Sequence, residues 1–135
     1  MSVSKAFDAM EYGLAPENDD QARAWLHSRQ QQLGHFIDGK WLRNRRRFAV
    51  TDPVSGIEIA SLPKAGDKEI NAAVASANRA HKAWEAIGCH ARAKYLYAIA
   101  RAVQKQSRLF ATLESLDNGK PIRESRDIDI PLVAR

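Results

Sequence analysis

Residues 113–121 read Leu-Glu-Ser-Leu-Asp-Asn-Gly-Lys-Pro. They close a long amphipathic run. Leu96, Ile99, Ala100, Val103, Phe110 and Leu113 recur at helical spacing, and Arg92, Lys94, Arg101, Lys105 and Arg108 supply the solvated face. Asn118 and Gly119 tolerate the left-handed backbone that ends a helix, and Pro121 cannot continue one. The pattern predicts one helix over 89–116, a stop at 117–121, and a new element with Pro121 at its first helical position.

Upstream, residues 67–86 carry the clearest helical signal. Asp67 is a good N-cap, and Ile70, Ala73, Val74, Ala77 and Trp84 share a face. Ile87-Gly88 should end that helix. Two antiparallel helices joined by so short a turn are expected to cover each other's apolar stripes.

The period changes over 35–62. Asp38-Gly39, set between His35-Phe36-Ile37 and Lys40-Trp41-Leu42, signals a tight hairpin turn. Phe48-Ala49-Val50-Thr51 reads as another strand. Asp52-Pro53-Val54-Ser55-Gly56 then reads as a turn, and Ile57, Ile59 and Leu62 as an extended segment. Residues 1–34 form an N-terminal extension. Its polar opening leads into a short helix capped by Asn18, Asp19 or Asp20 and running to Gln32, with Ala22, Trp25, Leu26 and Leu33 on its stripe and Gly34 as its stop. Trp25 reads as a docking residue.

At the far end, residues 127–133 read as the start of a helix with Asp127 and Asp129 in its first turn, where the helix dipole favours acids. The chain ends at Ala134-Arg135 with no C-cap. Boundaries usually fall in exposed linkers, so a truncated longer chain is expected.

The 135 residues are 44% hydrophobic and 27% charged, which suits one globular domain or part of one. No run approaches the ~18 apolar residues that would suggest a membrane helix, and no secretory signal pattern opens the chain. A single cysteine, Cys89, excludes an internal disulfide framework. A cytoplasmic setting is therefore expected. The formal charge is +5. Arg43, Arg45, Arg46 and Arg47 form a basic run, read as a solvated loop between strands because no aromatic stacking platform or nucleic-acid motif accompanies it.

Chemistry-bearing patterns are sparse. Cys89 has His90 beside it, but neighbours at a helix start point apart, and no strained turn presents the sulfur. His27, His35, His81 and His90 lack metal-ligand spacing. No Gly-rich phosphate loop occurs. Asp117 is the exception. Next to the exposed carbonyls of a helix end, it is suited to capping a backbone amide or, with carbonyl oxygens, to holding a hard cation. Capping is the favoured role.

Five ordered blocks resemble the N-terminal portion of the NAD(P)-dependent aldehyde dehydrogenases. They are Phe36-Ile37-Asp38-Gly39-Lys40-Trp41, Thr51-Asp52-Pro53-Val54-Ser55-Gly56, the helix at 67–84, residues 92–96, and the 113–121 stretch. Met10-Glu11-Tyr12-Gly13, Ala15-Pro16-Glu17 and Ala24-Trp25-Leu26 further resemble the start of the family-sixteen branch. The resemblance implies an α/β, aldehyde dehydrogenase-like fold. Residues 35–135 would be the helix-rich opening part of its coenzyme-binding domain, with a short β-hairpin and without the Rossmann-like sheet core. The implied activity is oxidation of aldehydes to carboxylates with NAD or NADP, through a thiohemiacetal on a cysteine.

The catalytic cysteine, glutamate and asparagine all belong to downstream regions of the family, and Cys89 does not match the nucleophile's position. The resemblance therefore implies no catalytic or coenzyme-binding residue here, an inactive chain, and no bound coenzyme. It also implies that the Ile70 and Leu96 stripes face a sheet outside this chain. The implied partners are the remainder of the enzyme and, as family members form homo-oligomers, further copies. A membrane or nucleic acid is not among them. The resemblance implies a monovalent cation near Val50, Thr51 and Asp117. The competing reading is a small basic helical module that binds nucleic acid or a protein through residues 43–47.

Overall fold

The computed structural model describes residues 18–29 and 33–135. Helix α1 spans Asp20–Arg29. Strands β1 (His35–Ile37) and β2 (Lys40–Leu42) pair antiparallel, as do β3 (Arg47–Thr51) and β4 (Glu58–Pro63). Helices α2 (Asp67–Ala86), α3 (Gly88–Lys105) and α4 (Ser107–Asn118) follow. The final helical stretch has three parts. Ile122–Glu124 is α5, Ser125–Asp129 is widened to π geometry, and Ile130–Val133 is α6. Among the described residues the sheets are two separate two-stranded hairpins, and no larger sheet core is present.

Each hairpin follows from its turn. Asp38 and Gly39 both take positive φ, 54° and 73°, the geometry that matches strand twist in a two-residue loop. The β3–β4 register is regular from Arg47↔Pro63 to Val50↔Ala60. It then jumps to Thr51↔Glu58, so Ile59 is the extra residue of a bulge. Of the basic run, Arg43, Arg45 and Arg46 lie in the β2–β3 connection, while Arg47 opens β3. The Arg47 guanidinium donates to the Ser61 carbonyl, to Ser61 Oγ at 3.2 Å and to the Leu33 carbonyl at 3.4 Å. Arg47 is therefore a cross-strand tie rather than a solvated loop residue.

The helices depart from expectation at their ends. The N-cap of α2 is Gly66 rather than Asp67, which is the first helical residue. Gly66 has no side chain to cap with. Glu69 supplies the other half of the capping box by accepting the Gly66 N–H at 2.9 Å, and this bond is the main cause of its lowered carboxyl pKa. At the other end, Arg92 donates to the Glu85 and Trp84 carbonyls at 3.0 and 3.4 Å, so it caps α2 instead of serving only as solvated face. The expected helix over 89–116 is two helices interrupted at Gln106 (φ −116°, ψ 21°). Nothing in the local sequence is a helix breaker. Pro121 is an N-cap, with φ −54° and ψ 130°, one position before its expected place. The helix expected to begin near Asp127 already begins at Ile122. The expected end of α1 at Gln32 and the branch motifs over 10–17 lie outside the described residues.

The core is small and rich in alanine. Ala22 and Leu26 of α1, Ala60 of β4, Ala111 and Leu116 of α4, and Ile130 and Ala134 near the chain end are buried, with Asp52, Thr112 and Ser125 among them. Small side chains allow α1, β4, α4 and the last helical stretch to approach closely. By contrast, α2 and α3 bury no residue fully. Ile70 is 53% exposed and Leu96 61%, with Val74, Tyr95, Tyr97 and Ile99 similarly open. A Trp84–Tyr95 ring contact at 5.5 Å joins the two helices. The pair therefore leaves much of its own stripes uncovered, Ile70, Val74, Leu96 and Ile99 among them.

Candidate functional site

The stop at 113–121 takes its shape from both ends. Gly119 adopts φ 75°, ψ 10°, and its N–H returns to the Ser115 carbonyl at 3.0 Å. The Asn118 side-chain oxygen accepts the Lys120 N–H at 2.8 Å. Amide capping here thus falls to Asn118 rather than to Asp117. Lys120 then pairs with Asp129, and this bond raises the ammonium pKa. Asp129 is tied back to the helix stop, so it is more than a dipole-favoured acid. Asp127 instead pairs with its neighbour Arg126 at 2.7 Å, which lowers its pKa. Ser115 Oγ meets the fully buried Ser125 Oγ at 3.2 Å.

The turn after β3 packs directly on this stop. Asp52 is buried, and its carboxylate accepts the Ser55 hydroxyl at 2.7 Å and the Val54 N–H at 2.9 Å. These bonds, the Ser55 hydroxyl first, hold the Asp52 carboxyl below the usual carboxylate range. Arg23 of α1 approaches it at 3.8 Å. A Cβ on Gly119 would lie 2.9 Å from Pro53 Cγ. Two of the sequence blocks, residues 51–56 and 113–121, are therefore in contact, and glycine is what lets them meet. The Asp-Pro-x-Ser-Gly order was a readable signal for the turn. Its burial against Gly119 was not readable.

The expected cation residues are partly gathered. Val50 and Asp117 line one cleft of about 290 Å³, together with Glu114, Ile59, Ala60 and Phe110 among others. Thr51 follows Val50 at the bulge and is exposed. The bulge interrupts the ladder at this point and releases backbone groups from strand pairing. The lining is otherwise mostly apolar, with Leu26, Leu33, Leu62, Leu113 and Ile130, and Glu114 accepts the Asn118 amide at 2.8 Å, so Asp117 is the carboxylate beside the bulge that has the chemistry for a hard cation. Among the described residues no group of three His, Cys, Asp or Glu side chains is placed to hold a metal. His35 Nε2 is buried without a hydrogen-bond partner. Cys89 is exposed on the first turn of α3.

A second cleft, of about 350 Å³, is lined by Trp25, Arg29, Leu33, Trp41 and Arg43. Trp25 is a wall of this cleft rather than only a docking residue. Trp41 is also held against Phe36, with ring centroids 5.1 Å apart. Aromatic rings do therefore accompany the basic run in space: Trp41, two positions before Arg43, and Trp25, which is distant in sequence.

No helix among the described residues is long and apolar enough to cross a membrane. The family model described as "Aldehyde dehydrogenase family" matches residues 41–135. Acetaldehyde dehydrogenase 2 of Cupriavidus necator is 35% identical over 104 residues, 76% of this chain and 21% of that relative. The crystal structure of PnpE from Pseudomonas sp. WBC-3 has a TM-score of 0.72 at 35% identity, covering 76% of this chain and 21% of its own. PnpE in complex with nicotinamide adenine dinucleotide gives the same score and identity. Gamma-glutamyl-gamma-aminobutyraldehyde dehydrogenase from Burkholderia cenocepacia J2315 has a TM-score of 0.71 at 32% identity, covering 83% of this chain and 24% of its own. The chain thus spans between a fifth and a quarter of the length of these relatives. It belongs to the aldehyde dehydrogenase family.

Proposed function

We propose that this chain is the N-terminal part of the coenzyme-binding domain of an enzyme that oxidises aldehydes to carboxylates with NAD or NADP in the cytoplasm. In this reading residues 1–34 are an extension, residues 35–135 are scaffold, and the chain alone is inactive. The observation that carries the reading is the family-model match over residues 41–135, beside a 104-residue match that covers 21% of a relative named acetaldehyde dehydrogenase. The PnpE complex with nicotinamide adenine dinucleotide supports the coenzyme class. The uncovered apolar faces of α2 and α3 support a scaffold role, because large exposed apolar patches mark surfaces that associate. The partner that completes the scaffold is the remainder of the enzyme, and homo-oligomers are the expected assembly.

The test is NAD(P)H formation by the purified chain with acetaldehyde or hexanal. None is expected. Turnover that vanishes on Cys89→Ser would overturn the reading, because it would make an exposed helix-start thiol the nucleophile.

Within this scaffold, Val50 and Thr51 would offer backbone oxygens and Asp117 a carboxylate to a monovalent cation, with Glu114 adding charge to the same cleft. The expected outcome is a melting midpoint raised by sodium or potassium chloride relative to tetramethylammonium chloride at equal ionic strength, and no difference in Asp117→Asn. An equal response of both proteins to all three salts would remove the cation from this account.

A further inference from the structure

We propose that the cleft between α1 and the β1–β2 hairpin binds a planar base that carries a phosphate, as in a nucleotide or a single-stranded nucleic acid. Two indoles, Trp25 and Trp41, and two guanidiniums, Arg29 and Arg43, line it with Leu33. Its volume of about 350 Å³ falls within the range of small-ligand sites.

The walls are fixed from behind. Arg47 holds the Leu33 carbonyl with both terminal nitrogens at 3.4 Å, and Phe36 braces the Trp41 ring. Trp41 nevertheless remains 64% exposed, so most of it is available to stack. Arg45 and Arg46 continue the positive charge along the β2–β3 connection. Aromatic faces bind bases with little sequence preference, and a guanidinium meets a phosphate with paired donors. This site is separate from the coenzyme chemistry proposed above and does not depend on it.

The test is fluorescence quenching and anisotropy at low salt, using AMP, adenosine, inorganic phosphate and a labelled oligothymidylate. Saturable quenching by AMP, or binding of the oligonucleotide, supports the site. AMP alone identifies a free nucleotide, and the oligonucleotide alone or more tightly identifies a strand. Trp41→Ala should weaken binding about tenfold, the scale of one lost stacking contact. Arg43→Ser should weaken it and flatten its salt dependence. Trp41→Phe keeps a ring, so it should retain most of the affinity even if the alanine variant unfolds. The proposal is overturned if neither ligand binds at millimolar AMP or high-micromolar oligonucleotide. It is also overturned if binding survives both Trp41→Ala and Arg43→Ser unchanged, or if phosphate alone binds as well as AMP.

Discussion

Gly119 shows how much of this fold rests on single positions. Its positive φ was readable from the Asn-Gly-x-Pro order, since few other residues end a helix that way. Its contact with Pro53 was not, because 66 positions separate the two. Gly119→Ala should lower stability by about 2–4 kcal/mol, combining left-handed strain with overpacking against the proline ring. Gly56 provides the comparison. It has a similar φ of 70° but nothing within 4 Å of an added Cβ. Gly56→Ala should therefore cost only the strain, about 1–2 kcal/mol. Urea denaturation midpoints of the two variants separate these effects. Equal losses would mean that the Pro53 contact carries nothing.

Asp52 makes a prediction in pH. Its folded pKa is depressed, chiefly by the Ser55 hydroxyl and the Val54 N–H. A depressed carboxylate contributes stability that is present above its unfolded value, about 3.9, and is lost as pH falls through the lower folded value. Asp52→Asn should therefore flatten the acid limb of a stability curve below about pH 4 and leave its neutral and alkaline slopes unchanged. Thermal midpoints across that range provide the check.

At the scale of elements, hairpins and helices were legible because their signals are local. Asp-Gly dictates the β1–β2 turn, and spacing dictates α2 and α3. The misses came where distant contacts or unmarked geometry decide. The Gln106 break has no local marker. The π-widened turn at Ser125–Asp129 places a buried serine against Ser115, which periodicity cannot encode. The Arg47 tie and the Trp25–Trp41 cleft likewise join residues that are separated in sequence. The helices should also differ in their tolerance of truncation. Leu116→Ala removes a buried side chain and should cost about 2–3 kcal/mol. Leu96→Ala on the open face of α3 should cost under about 0.5 kcal/mol. Comparable losses in the two would show that the α3 face is covered.

At the scale of the whole molecule, the buried core and the apolar surface are out of proportion. Alanines and a few larger residues hold α1, β4, α4 and the chain end together, while the longest helices present isoleucine, valine, leucine and tyrosine to solvent. The sequence stripes contained Ile70, Val74, Leu96 and Ile99 among them, but not the tyrosines. Whether the helix pair would cover itself depended on the crossing geometry, which the stripes do not specify. The account therefore rests on the open face of α2 and α3 being a surface made for burial against the rest of a longer enzyme. The direct measurement is binding of a neutral apolar dye, Nile red, to the chain and to a variant carrying Ile70→Glu and Leu96→Glu. The account predicts strong dye emission from the chain, most of it abolished in the variant with the helical circular dichroism intact. Absence of dye binding, or emission that the two substitutions leave unchanged, would contradict it.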